Sequence, residues 1–111
     1  MYPAALTVAS DGPAGTLVAA AMGVFLKRDR QQYNNRPVYQ LDRGGVYLFY
    51  EDNGFWMIGP TVGGSNRGII TVRRGLLTPP ATGWKYSDNG WKEDPQLTVS
   101  GETINMFGVC H

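Results

Sequence analysis

The tripeptide Asp-Asn-Gly occurs twice, at Asp52-Asn53-Gly54 and Asp88-Asn89-Gly90, each time beside aromatic residues. Asn-Gly accepts the two positive φ angles of a type I′ turn, whose twist matches that of paired strands. Both places therefore predict tight hairpins. The first is flanked by Val46-Tyr47-Leu48-Phe49-Tyr50 and Phe55-Trp56-Met57-Ile58. Taking Asn53-Gly54 as a two-residue loop pairs Asp52 with Phe55 and Tyr50 with Met57. Alternation then sets Tyr50, Leu48 and Met57 on one face, and Tyr47, Phe49, Trp56 and Ile58 on the other. Both faces are apolar. The hairpin is either buried on two sides or keeps one face for a ligand.

Further turn signals divide the rest of the chain into short strand-like runs. These runs are Ala5 to Ala9, Val18 to Lys27, Pro37 to Leu41, Val46 to Glu51, Phe55 to Ile58, Ile69 to Arg73, Trp84 to Ser87, Leu97 to Ser100 and Thr103 to Val109. The Ala-rich stretch Leu17 to Met22 suits one or two helical turns. With 15 Gly and 7 Pro in 111 residues, a helical bundle is excluded. A 12% aromatic share and 17% charged residues also exclude intrinsic disorder. The expectation is one all-β domain over residues 1–111, a small antiparallel barrel or sandwich of about eight short strands.

Groups able to do covalent or metal chemistry are scarce. A single Cys and a single His, Cys110 and His111, stand together at the end of the sequence. That excludes a disulfide framework and a Cys/His zinc site, and it does not suit a nucleophile–base pair, which a third group must orient. The neighbouring acids Glu51-Asp52 and Glu93-Asp94 lie beside turns, where carboxylates are normally solvated. Gly59-Pro60-Thr61-Val62-Gly63-Gly64-Ser65 lacks the lysine of a phosphate-binding loop. Asp42, Asp52 and Asp88 are too far apart in sequence for a calcium loop. No enzyme, cofactor or metal is expected, and a small hydrolase ranks third among the functional readings.

Net charge is +1, which gives no overall footprint for nucleic acid or membrane. The apolar stretch Thr16 to Leu26 is far short of the ~20 residues of a membrane span. Charge is nonetheless uneven. From Asp52 to Asp88 no acid intervenes, while Arg67, Arg73, Arg74 and Lys85 do. This is a solvated face or an anion-binding patch. Trp56 and Trp84 are expected in the core, since a small domain needs large rings to fill it. Trp91, between Gly90 and Lys92-Glu93-Asp94, stands between core edge and exposed platform. The leading reading is a non-enzymatic recognition module whose ligand surface carries Trp91, Tyr86, Arg67 and Arg74, with a protein or glycan partner. A lectin-like carbohydrate-binding module is the alternative. Self-association through edge strands at Leu6-Thr7-Val8 or Leu97-Thr98-Val99 is a further expectation.

Taken in order, Asn35-Arg36-Pro37-Val38-Tyr39, Tyr47-Leu48-Phe49-Tyr50, Gly54-Phe55-Trp56-Met57-Ile58-Gly59, Pro79-Pro80, Gly83-Trp84-Lys85-Tyr86, Trp91 and Asp94-Pro95-Gln96-Leu97-Thr98-Val99 form one pattern, which as a module core covers about residues 22–99. It resembles an uncharacterised Trp/Tyr-rich module found within multidomain eukaryotic proteins. Such modules often carry Gly where this chain has Asn35, and Asn also tolerates positive φ. The resemblance implies a domain type and no activity. A weaker echo, Leu6-Thr7-Val8-Ala9-Ser10 against Leu97-Thr98-Val99-Ser100-Gly101, fits a tandem array of such units.

Overall fold

The structure, a computed structural model, describes residues 2–63, 69–71 and 75–102. Nine strands occur among them: β1 (Ala5–Ala9), β2 (Gly23–Tyr33), β3 (Arg36–Leu41), β4 (Tyr47–Tyr50), β5 (Trp56–Gly59), β6 (Ile69–Thr71), β7 (Trp84–Ser87), β8 (Trp91–Glu93) and β9 (Thr98–Glu102). Between β1 and β2 lie one helical turn, α1 (Ala14–Leu17), and a single 3-10 turn, Ala19–Ala21. The 3-10 turn falls within the Ala-rich stretch Leu17 to Met22, as expected, whereas α1 begins before that stretch and the expected strand from Val18 begins only at Gly23. The architecture is all-β and antiparallel, as the turn signals require.

β1 to β8 run as a meander in chain order, and β9 adds on the far side of β1, giving the order β8-β7-β6-β5-β4-β3-β2-β1-β9. β8 and β9 are consecutive in sequence yet occupy opposite edges. A flat sheet of nine strands would set its edges about 38 Å apart, at ~4.8 Å per step. The four residues from Asp94 to Leu97 that join these strands reach about 18 Å at most. The sheet must therefore curl, and it does, into a half-barrel. β1 is an interior strand, so Leu6-Thr7-Val8 offers no edge. At the other candidate edge, the Val99 amide donates to the Ala81 carbonyl (2.9 Å).

Inside the curl, Leu6, Phe25, Tyr39, Leu48, Trp56 and Trp84 anchor the main core, each no more than 2% exposed. Buried ring polar groups need partners, and these have them. Trp56 Nε1 donates to the Leu76 carbonyl (3.0 Å) and Trp84 Nε1 to the Pro80 carbonyl (2.8 Å). Tyr39 donates its hydroxyl to the Pro3 carbonyl (2.7 Å). Burial pushes the Tyr39 phenol up to about 12, with Tyr2 adding to the effect, so the donor keeps its proton. A smaller cluster of Val38, Phe49 and Met57 covers the outer face, with Tyr33, Tyr47 and Phe55 packed against it. The central hairpin is thus buried on two sides, the first of the two outcomes expected.

Its register differs from the expected one. Tyr50 pairs with Trp56, Phe49 with Met57 and Leu48 with Ile58. Glu51 N donates to the Phe55 carbonyl (2.8 Å) and Gly54 N to the Glu51 carbonyl (3.0 Å), so three residues, 52–54, form the loop. Gly54 has φ 95°, while Asn53 keeps negative φ. The cause is the Asn53 side chain, whose Oδ1 accepts the Phe55 amide (3.1 Å) and makes a local turn of its own. A three-residue loop ending in a left-handed Gly is the next commonest hairpin connection after the two-residue loop. The slip of one residue exchanges faces. Leu48, Tyr50, Trp56 and Ile58 point inward, and Phe49 and Met57 outward.

Candidate functional site

Two polar constellations are built into this sheet. The first holds its edges together. Asp94 is 3% exposed and begins the link from β8 to β9. Its Oδ2 accepts the Ser10 hydroxyl (2.6 Å) and the Ala14 amide (2.9 Å), and its Oδ1 accepts the Gln96 amide (2.9 Å). Ser10 Oγ in turn accepts the Gly12 amide (2.9 Å). Ala14 N–H is an unpaired donor of the first turn of α1, and the carboxylate caps it from 80 residues away. Gly12 makes the approach feasible, since a Cβ there would stand 2.4 Å from Asp94 Oδ1. Desolvation by burial pushes the Asp94 carboxyl up. The bonds from Ser10, Ala14 and Gln96 outweigh it, and the carboxyl sits below its ordinary value. Asp94 is therefore a buried, ionised latch, in contrast to the solvated turn acid expected from its position.

The second constellation surrounds a break in the sheet. Lys27 pairs with Tyr39 and Gln32 with Pro37, so Arg28, Asp29, Arg30 and Gln31 stand opposite Val38 alone. This is a bulge of unusual size, and bulges re-aim side chains beside functional sites. It opens two adjoining depressions. One, of about 550 Å3, is lined by the four bulged residues. The other, of about 340 Å3, lies between β2 and the turn after β3, among Leu26, Lys27, Arg28, Gln40, Asp42 and Arg43. Arg28 Nη1 donates to Gln40 Oε1, and Arg43 Nη2 to the Met22 carbonyl (2.9 Å). Gly23, at φ 138°, leaves room for that reach, as a Cβ there would lie 3.2 Å from Arg43 Nη1. Both arginines are exposed, and among the described residues neither has an ion pair. Each guanidinium carries five donors, so each is oriented by a neutral acceptor with donors to spare.

A third, apolar groove of about 310 Å3 lies between the helical turns and the end of β5, beside Leu17, Val18, Val46, Ile58 and Pro60. On the outer face of the β2–β3 arm, Tyr33 donates its hydroxyl to Glu51 Oε1 (3.1 Å). That bond, with desolvation and the Glu51 charge, raises the Tyr33 phenol above its ordinary value. The Arg36 guanidinium carbon lies over the Tyr50 ring, 3.8 Å from its centroid.

The residues expected to form a ligand surface do not gather. Trp91 is 40% exposed on β8, as a platform would require. Tyr86 is 4% exposed and belongs to the main core beside Trp84. The pairing explains the separation: Ser87 faces Trp91 and Lys85 faces Glu93, so Trp91 shares a face with Lys85, Ser87 and Glu93 and not with Tyr86. Trp56 and Trp84 are buried, as expected. Arg67 and Arg74 lie outside the described residues. Arg28 and Arg43 were missed by sequence reasoning. Lys27-Arg28-Asp29-Arg30, the densest basic run in the chain, was the signal that marked the first of them. Nothing comparable marked Arg43.

Among the described residues, no group of three His, Cys, Asp or Glu side chains is placed to hold a metal ion. No helix among them is long and apolar enough to cross a membrane. No family model, curated protein or solved structure matches this chain.

Proposed function

We infer that this chain is a copy of the Trp/Tyr-rich module it resembles and acts as a non-enzymatic recognition module, receiving its ligand in the cleft beside the β2 bulge. The observation that carries this reading is the state of Arg28 and Arg43. Both are positioned by neutral acceptors, both face solvent, and neither is neutralised by a described acid. Such groups are pre-oriented for a partner's charge. The domain binds its ligand without transforming it. Asp94, the most buried carboxylate among the described residues, is occupied by three donors and turned into the fold, so it does not serve as a general base.

A glycan platform at Trp91 is the second reading, favoured by that ring's exposure on the short edge strand β8. One titration separates the two. Amide chemical shifts of the whole chain are followed against acidic, neutral and basic octapeptides and against neutral oligosaccharides. The expected result is movement of the amides of residues 26–31 and 40–44 with the acidic peptides, weakened at high salt. Movement confined to residues 87–93 with an oligosaccharide would overturn the cleft in favour of the lectin-like reading.

A further inference from the structure

We propose that the β8 edge is a latent pairing surface for a second copy of this chain, held closed by the charge of Lys92. The sheet has two edges, β8 and β9. On β9 the Val99 amide is taken up by the Ala81 carbonyl. β8 is joined to β7 alone, and among the described residues no further backbone bond reaches Trp91, Lys92 or Glu93. An antiparallel ladder uses the N–H and C=O groups of alternate residues, so β8 keeps free groups along its outer side. All three of its residues are exposed, and Trp91 carries a large ring that a neighbouring strand would cover.

Lys92 sets the barrier to that pairing. It stands opposite Tyr86, and cross-strand partners share a face. Tyr86 belongs to the main core, so Lys92 lies on the core-facing side of the sheet, yet its side chain is 51% exposed. It reaches water because β8 is the last strand on that side. Its ammonium is 3.3 Å from Asp88 Oδ2, an exposed pair of little strength. A strand added to β8 would close over this ammonium and strip its water. Inward-directed charge on a very short edge strand is a means by which sheets avoid edge-to-edge association.

The register names the occupant. Two β8 strands meeting antiparallel about a two-fold axis match over their whole length in one way only. Trp91 then lies opposite Glu93 at each end, and Lys92 opposite Lys92 in the middle. Like charges directly opposite each other destabilise a strand pair. The barrier is therefore specific to the chain's own copy, since an acidic strand would meet no such repulsion. The remaining contacts favour the pairing, through continuous backbone bonds and cover for two Trp91 rings. One charge per copy decides the balance.

The test is sedimentation velocity of the full chain at about 100 µM, a range in which exposed strand edges associate, with amide exchange mapped in parallel. The wild type should sediment as a monomer. Lys92→Val and Lys92→Gln should associate, with exchange slowed at residues 91–93. Lys92→Arg, which keeps the charge, should match the wild type. Position 92 is exposed, so none of these changes should shift the urea midpoint. Lys92→Cys in a Cys110→Ser background should form a disulfide dimer on mild oxidation, because the two-fold register sets the two Cβ atoms about 4.5–5.5 Å apart, close to disulfide reach. Ser87→Cys in the same background, one strand in from the edge, should not. A monomeric Lys92→Val, or association that leaves the exchange of residues 91–93 unchanged, overturns the pairing surface. A monomeric Lys92→Gln, an associating Lys92→Arg, or a wild type that already pairs through residues 91–93 overturns the guarding charge. Slowed exchange at residues 91–93 when the wild type meets an acidic octapeptide assigns the edge to a partner's strand and overturns the second copy. These readouts are separate from the cleft amides at residues 26–31 and 40–44, so either reading can fail alone.

Discussion

The latch at Asp94 and the cleft at Arg28 and Arg43 are both polar groups set into an apolar sheet, and they are satisfied to opposite degrees. The latch gathers three donors onto one carboxylate and hides it from water. The cleft gives each guanidinium one neutral acceptor and leaves it in solvent. A buried ion is tolerable only when its hydrogen bonds are complete, because each one missing costs the full desolvation of a group. An exposed ion carries no such demand and can keep donors in reserve. Degree of satisfaction therefore separates what holds this fold from what is open to a partner.

The sharpest way to break the comparison is to empty the latch. Asp94→Ala leaves the Ser10 hydroxyl and the Ala14 and Gln96 amides without their acceptor, in a place water does not replace easily. We expect a loss of about 2–4 kcal/mol in urea unfolding. The damage should include the tie between α1 and the β8–β9 link, seen as faster amide exchange at Ala14 and Leu97. A loss below about 0.5 kcal/mol would show that the short link alone keeps the sheet curled. Gly12→Ala attacks the same latch sterically. Its Cβ would sit 2.4 Å from Asp94 Oδ1, and the carboxylate must move to admit it. About 1–3 kcal/mol is expected from such overpacking, read in the same assay.

The latch and the cleft differ too in how far they could be read from residues. Turn chemistry and alternation are local, so the all-β class, the strands at Ala5–Ala9 and Trp84–Ser87 and the two buried tryptophans were all legible. Register was not, because it hangs on one side-chain bond. Asp-Asn-Gly at 52–54 closes a loop with one positive φ, since Asn53 bonds the Phe55 amide, while at 88–90 both Asn89 and Gly90 turn left-handed. The two-residue type I′ geometry expected at the first appears instead at Asn34-Asn35, between Tyr33 and Arg36. β8 was implied by the hairpin at 88–90 but had no bounds of its own, because three exposed residues carry no alternation. Asp94 and Ser10 are 84 residues apart, and no pattern announces so distant a bond. Arg28 had a visible basic run, but its partner Arg43 reaches the cleft only through tertiary structure.

Acid should expose the latch without any mutation of its neighbours. The folded-state pKa of Asp94 lies below the ordinary 3.8, so its ionised form stabilises the fold fully above that value. This contribution is lost as pH falls through the lower, folded-state value. The wild-type unfolding midpoint should therefore drop on going from about pH 5 to about pH 2, and Asp94→Asn should flatten part of that drop. Equal slopes for the two proteins would mean that other carboxylates govern acid unfolding and that the latch is not an ion in the folded state.

The smallest effect on stability is expected at the cleft, and it is the one that most sharpens the contrast. Arg28→Gln and Arg43→Gln each remove an exposed cation whose described bond runs to a neutral oxygen. Surface changes of this kind stay within about 0.5 kcal/mol. Urea unfolding of both variants, set beside Asp94→Ala, decides the matter. If Arg43→Gln costs as much as emptying the latch, Arg43 is a strut from the β3–β4 turn to the start of β2, and its reserve of donors has a structural use. If both variants unfold with the wild type, the guanidiniums are surplus to the fold, and their fixed positions are left for a ligand to use.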